Sequence, residues 1–180
     1  MKRSYFSSLV VALGLCAAPV LQAQSQPTEG IRFGVGGGLT LPIGNFGDVD
    51  KAGWNLVGLI QLPISQSPIH LRFDAMYGQT SHKSPASGNT TLTGATADLL
   101  YHLGDHAAKV RPYVLGGLGF YNADFGGGSS ESKLAFGFGG GILFGVGTMH
   151  AFLEGRYMSV QTSGSSLNFL PISVGVMFGR

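Results

Sequence analysis

Charge is scarce in this chain. Asp, Glu, Lys and Arg make up 11% of its 180 residues, less than half of the roughly 25% typical of soluble domains. A disordered, solvating protein is therefore excluded, because it would be charge-rich. Cysteine is scarcer still, with Cys16 alone, so no intrachain disulfide can form. Long apolar runs are also missing: beyond residue 23 no uninterrupted stretch approaches the roughly 20 residues of a membrane-spanning helix. What the chain has instead is 30 Gly and 44% hydrophobic residues, with a mean hydropathy of +0.24. One Gly in six is incompatible with a helical bundle. A chain this apolar that lacks spanning helices can enter a bilayer only with strands.

Residues 1–23 read as a secretory signal peptide. Lys2 and Arg3 supply a positive start, Leu9 to Val20 a mostly apolar stretch, and Leu21-Gln22-Ala23 the site after which cleavage is expected. The competing lipoprotein reading would use Cys16, but Leu15 before it is larger than a lipobox accepts. Cleavage removes Cys16 and leaves 9 Lys and Arg against 9 Asp and Glu. The mature chain is then near neutral and too poor in basic residues to form a nucleic-acid groove. After a short N-terminal segment at 24–30, a single domain is expected over 31–180.

From Ile31 onward, apolar residues fall on alternate positions, the period of a strand. Eight such runs are expected, at 31–41, 53–63, 68–79, 92–103, 109–121, 133–145, 149–160 and 168–179. The second is the weakest, because Val57 and Leu59 interrupt its polar face. Connections after odd runs are longer and polar (42–52, 81–91, 122–131, 161–167), and those after even runs are short. This pattern predicts an all-β fold, an eight-stranded antiparallel up-and-down transmembrane β-barrel. If the first strand rises from the periplasm, the apolar-face aromatics sort into two girdles. Trp54, Tyr77, Phe120, Phe136 and Tyr157 lie near the outer ends, and Phe33, Tyr101, Phe144 and Phe178 near the inner ends.

With the apolar face toward lipid, the other face lines the lumen and carries Arg32, Arg72, Asp74, Asp98, His102, Arg111, Glu154 and Arg156. An eight-stranded barrel is just wide enough for side chains to fill. Inward glycines on the first, fifth and sixth strands (Gly34, Gly36, Gly38, Gly117, Gly119, Gly137, Gly139 and Gly141) are expected to make room for long charged side chains. Arg32, Arg72, Asp74, Asp98, Arg111, Glu154 and Arg156 form the expected structural lumen cluster. Arg72, Asp74, Asp98, Glu154 and Arg156 pair with one another at mid-height, because an unpartnered buried ion costs several kcal/mol.

Catalytic chemistry finds little support. Asp74 and Asp98 are the only carboxylates expected on neighbouring strands, and a lumen this narrow gives them no substrate opening. His70, His82, His102, His106 and His150 show no HxxxH spacing, so no metal site is expected. Nucleophile elbows and phosphate loops are absent, and the Gly34–Gly38 stretch runs into a strand and not into a helix. No cofactor is expected.

The seventh-run segment Phe152-Leu153-Glu154-Gly155-Arg156-Tyr157 and the ending Ile172-Ser173-Val174-Gly175-Val176-Met177-Phe178, with eight strands and a signal, resemble the small bacterial outer-membrane β-barrel family of OmpA/OmpX and opacity-protein type. The likeness is to the barrel domain only, so a wall-anchoring role does not carry over. It implies insertion by the barrel-assembly machinery, which reads a terminal aromatic. Here Phe178 stands third from the end, on the expected face but displaced. The chain is thus expected to be a non-enzymatic, monomeric outer-membrane protein, exported through a Sec-type signal and surrounded by outer-membrane lipid. Its role would be structural or adhesive, with any surface ligand taken by the outer loops. The alternatives are a secreted lipocalin-like barrel with inverted faces that carries an apolar ligand, a narrow pore, and a lipid-modifying enzyme set in the barrel wall.

Overall fold

The computed structural model describes residues 30–64, 67–85, 87–104, 108–125, 132–162 and 165–179. The expected signal at 1–23, the segment 24–29 and the Gly-rich stretch 126–130 lie outside the described residues. Eight strands follow in chain order: β1 (Arg32–Ile43), β2 (Asp50–Pro63), β3 (Ile69–His82), β4 (Asn89–His102), β5 (Val110–Asp124), β6 (Ser132–Val146), β7 (Met149–Thr162) and β8 (Ser165–Phe178). A five-residue helix, α1 (Asn45–Val49), joins β1 to β2. Every strand pairs antiparallel with its sequence neighbours, and β8 pairs with β1 to close the barrel.

The stagger of that closure can be read from the register. Following partners once round from Arg32, through Gln61, Arg72, Asp98, Gly117, Gly137, Met158 and Phe169, returns to β1 at Pro42, ten residues along. Eight strands with that stagger tilt about 40° from the barrel axis and enclose a radius of about 8 Å. Strands of 14 residues then rise about 35 Å, more than the roughly 25 Å apolar band of such barrels.

The excess lies at the end away from the chain termini. Stretches expected as polar loops continue the ladder there. Pro42 and Ile43 pair with Phe169 and Asn168, Ser81 with Asn89, Asn122 with Ser132, and Gln161 with Ser166. The loop-end connections shrink to 44–49, 83–88, 125–131 and 163–164. Polar composition at a strand end here marks departure from lipid, not departure from the sheet.

Burial alternates residue by residue, with Phe33, Val35, Leu39, Leu118, Phe120, Phe138 and Val174 exposed and their neighbours turned inward. Val57 and Leu59, which make β2 look weak by sequence, belong to the inward face. They pack in an apolar layer with Leu100, Tyr113, Leu115, Leu143, Phe152 and Met177 near the terminal end. A second apolar layer nearer the loops gathers Met76, Leu92, Tyr121, Met158, Val160, Leu167 and Phe169, and Phe46 of α1 inserts into it from above. Lys83 holds α1 in place by donating from its backbone N to Val49 O and from Nζ to Gly47 O.

The inward glycines make room for rings and sulfur as well as for the expected charged side chains. A Cβ would strike Phe152 at Gly36 and Gly175, Tyr121 at Gly94, Tyr113 at Gly141 and Met158 at Gly137; at Gly139 and Gly117 it would meet Arg156 and Asp98. At Gly117 it would also collide with the Ala97 carbonyl, whereas Gly58 on the outer wall has nothing within 4 Å. Gly117→Ala should therefore cost about 1–3 kcal/mol as an overpacked interior position, while Gly58→Ala should stay within about 0.5 kcal/mol of the parent. Urea unfolding in lipid, followed by the fluorescence of Trp54, measures both.

Candidate functional site

The lumen between the two apolar layers is filled by an ionic cluster built from β3, β4 and β7. Inward parity puts Arg72 and Asp74 two residues apart on β3, and Glu154 and Arg156 two apart on β7, so the four reach across the barrel axis. Arg72 donates from Nε and Nη2 to Asp74 Oδ1 at 2.9 and 2.8 Å, and from Nη1 and Nη2 to Glu154 Oε2 and Oε1 at 2.6 and 3.1 Å. Arg156 donates from Nε to Glu154 Oε1 at 2.6 Å, from Nη2 to Asp74 Oδ2 at 2.8 Å, and from Nη1 to Asp98 Oδ2 at 3.0 Å. Two hydroxyls complete the cluster: Tyr113 donates to Glu154 Oε2 at 2.6 Å and Thr96 to Asp98 Oδ2 at 2.7 Å. All five ionic side chains are buried. Two guanidinium forks thus hold three carboxylates, with every fork nitrogen engaged, the geometry in which Arg pairs are strongest.

Arg32 and Arg111 do not join this cluster. Both are buried, but the register sets them on the first inward rungs of β1 and β5 at the terminal end, beyond the apolar layer of Leu59 and Phe152. Sequence parity alone finds the correct face for them and cannot assign the height, which depends on the stagger. His102 occupies the same terminal level. There the Gln61 side-chain amide bridges His70 Nδ1 at 3.0 Å and His102 Nε2 at 3.3 Å, and the two imidazoles meet edge to face with centroids 4.7 Å apart.

Other polar groups also face the lumen: Asn55 stands at an inward position of an expected run, whereas Asp50, Thr80 and His82 lie beyond the expected runs, and a register shift between Lys51 and Trp54 accompanies the inward turn of Asp50. Asn55 links Thr40 and Ser173 at 3.2 and 2.8 Å. At the loop end, Thr80 donates to Asp50 Oδ2, and His82 Nε2 stands 3.8 Å from Asp50 Oδ1. Among the described residues, no group of three or more His, Cys, Asp or Glu is arranged to hold a metal ion.

Register and tilt also place the outward aromatics. Phe33, Tyr101, Phe144 and Phe178 lie within about 3 Å of the height of Arg32, and Trp54, Tyr77, Phe120, Phe136 and Tyr157 lie about 16–21 Å above it. Trp54 packs on Tyr77 with centroids 5.6 Å apart, and Tyr157, half-buried, packs on Phe138 at 5.3 Å. Below the lower row the wall remains apolar, with Ile31, Ile64, Leu103, Val110, Val146 and Met149 exposed. Above the upper row it turns to Gln79, Ser81, Thr91, Asn122 and Gln161.

Among the described residues, little space is left beside the cluster. A cavity of about 20 Å³ beside Asp74, Glu154, Arg156 and Ser173 has room for about one water molecule. Chemically, the cluster can cross-link three strands.

An apolar wall, a closed eight-strand sheet and a packed ionic interior define an integral membrane barrel. The chain belongs to the outer membrane protein β-barrel domain family, whose sequence model matches residues 8–178, and its place is the outer membrane. Among solved structures it is similar to Neisserial surface protein A, with 18% identity, a TM-score of 0.66, and coverage of 83% of this chain and 97% of that one. It is also similar to a major outer membrane protein from Thermus thermophilus (12% identity, TM-score 0.52, 82% and 98% coverage). The Yersinia pestis outer membrane protein Ail is a third relative in shape (18% identity, TM-score 0.50, 83% and 100% coverage). At these identities the likeness is one of fold. A search of curated proteins finds no match.

Glu154 accepts from Arg72, Arg156 and Tyr113 at once. Glu154→Ala should therefore cost about 3–5 kcal/mol, the penalty for leaving buried cations without a partner. Tyr113→Phe should cost about 1.5–3 kcal/mol, the range for a hydrogen bond to a charged group. The shift of the urea midpoint in lipid vesicles tests both, and equal losses for the two variants would contradict the network as drawn.

Proposed function

We propose that the protein is a non-enzymatic, monomeric outer-membrane barrel that does not conduct, exported through residues 1–23 and inserted by the barrel-assembly machinery, with its loop end outside. Its role is structural or one of surface interaction. The observation that carries this reading is the filled mid-lumen: five interlocked ionic side chains between two apolar layers, beside a cavity with room for about one water.

A soluble carrier would turn its apolar face inward around a ligand cavity. This barrel exposes Phe33, Val35, Leu118, Phe120, Phe138 and Val174 on its outside instead. A pore would need a continuous aqueous path. The surface role is supported by the loop end, where ladder pairing continues past the apolar wall and presents a rigid polar collar and not bare lipid-level turns. The aromatic rows and the aliphatic rim beneath them are the lipid contact.

Two measurements test the proposal. On gels the outer-membrane fraction should give a band that shifts on boiling, and recovery of the protein in the soluble fraction would overturn the membrane reading. In planar bilayers the parent should show negligible single-channel conductance. Steady channels from the parent, or from Glu154→Ala with its unfolding midpoint unchanged, would turn the cluster from a structural plug into a gate.

A further inference from the structure

The outer wall of the barrel is not uniform. On β2, β3 and β4, Gly58 pairs with Ala75 and Ala75 with Ala95, so three of the smallest residues stand side by side on the lipid-facing surface. One rung toward the loops runs a second row of direct partners, Leu56, Tyr77, Thr93, Asn122 and Ser132. On the other side lies the row that begins with Ile60 and Phe73. Over Gly58 and Ala75 lies a furrow of about 460 Å³, bordered by Val35, Leu56 and Tyr77 and reaching Thr93. Because the partner rows climb with the stagger of the barrel, the furrow rises from the middle of the wall toward the collar.

At its upper end, at Thr93 and Gly94, the furrow meets a second depression of about 490 Å³, this one polar, lined by Thr91, Thr93, Asn122, Asp124, Ser132 and the ring of Phe120. Each volume is within the range of small-molecule sites. Phe120 belongs to the upper aromatic row and is 62% exposed, so the polar depression opens sideways into the bilayer surface directly above the acyl region.

We propose that this face binds one molecule of a glycolipid from the surrounding leaflet, with an acyl chain in the furrow over Gly58 and Ala75 and an uncharged sugar in the depression above it. The proposal rests on the orientation given above, with the loop end outside. The chemistry of the lining selects the headgroup. Thr, Ser and Asn side chains each both donate and accept, which matches sugar hydroxyls, and the face of Phe120 suits the apolar side of a pyranose ring. Among the described residues no Lys or Arg lines the depression, so a phosphate or sulfate would lose its hydration there without gaining a cation.

The test uses the full barrel in phosphatidylcholine nanodiscs doped with synthetic monoglucosyl diacylglycerol, read by native mass spectrometry. One glycolipid should remain bound, with at least about a tenfold preference over phosphatidylglycerol, phosphatidylethanolamine and the sugar-free diacylglycerol, equivalent to about 1.4 kcal/mol. Asn122→Leu with Thr93→Val should remove that preference, and Gly58→Leu should weaken retention by filling the furrow. Equal retention of phosphatidylglycerol, phosphatidylethanolamine or diacylglycerol would overturn the proposal. Displacement by excess free glucose would assign the depression to a soluble glycan and overturn it too, as would unchanged binding by the Asn122 and Thr93 variant. The preference of the unmodified barrel decides the matter even if a variant does not fold. A barrel without a heat-shifted band would instead mark failure of the membrane reading itself.

Discussion

No water reaches a peptide group in the hydrocarbon of a bilayer, so each backbone N–H and C=O there must find its partner within the protein. The pairing of β8 with β1 meets that demand, and the other dimensions follow from it. Eight strands closed with a stagger of ten leave an interior about 8 Å in radius, a width that side chains fill. Glycine adjusts the fit from within. Where Phe152 or Tyr121 crosses the lumen, the facing wall is Gly36, Gly175 or Gly94.

The filling is layered: polar groups at the terminal end, then Leu59 and Phe152, then the ionic cluster, then Met158 and Phe169, then Asp50 and Thr80 under the loops. Desolvating five ionic groups can cost as much as their attraction returns, and an apolar core of equal volume could be as stable. What the ionic layer adds is a penalty on alternatives. A one-residue slip of β7 would turn Glu154 and Arg156 to lipid and bring Leu153 and Tyr157 inward, leaving Arg72, Asp74 and Asp98 without their partners. A barrel of many similar alternating strands has little else to distinguish its register, since the outer wall rewards any apolar residue equally. The cluster joins β3 and β4 to β7, strands far apart in sequence, and so fixes the long-range part of the register that adjacent hairpins do not.

Much of this is legible in the residues. Alternation yields strand number, the lipid face and the inward charges of the mid-wall, because period two is the direct imprint of a two-sided wall; it misses Asp50, which lies past a register shift in β2. The pairing of Arg72, Asp74, Asp98, Glu154 and Arg156 follows from parity plus the need of buried charges for partners. Height does not follow. Arg32 and Arg111 have the same parity as Arg72, yet stand at the terminal end, and only the stagger of ten separates them. Strand ends are illegible for a related reason: residues such as Ser81, Asn89 and Asn122 look like loop because loops and extramembrane strand are equally polar, and hydrogen bonding leaves no mark on composition. Val57 and Leu59 look misplaced on β2 only if the lumen is taken as polar throughout, whereas charges fill only its middle.

The two ends of the barrel meet their surroundings differently, and that difference fixes its position. At the terminal end Ile64, Leu103, Val146 and Met149 are exposed below the lower aromatic row, so the barrel cannot sink without bringing them into water, and it cannot rise without carrying the exposed Leu56, Tyr77 and Phe120 of the upper wall out of the bilayer. At the loop end Gln79, Thr91, Asn122 and Gln161 continue the sheet above the upper aromatics, so it cannot sink without dragging amides and hydroxyls into hydrocarbon. The barrel is therefore held at one depth, with its loops carried on a hydrogen-bonded collar and Phe46 inserted into the apolar layer below. A recognition surface built on that collar has its geometry set by the sheet, and the polar depression at Thr93 and Asn122 lies on the part of it that borders lipid.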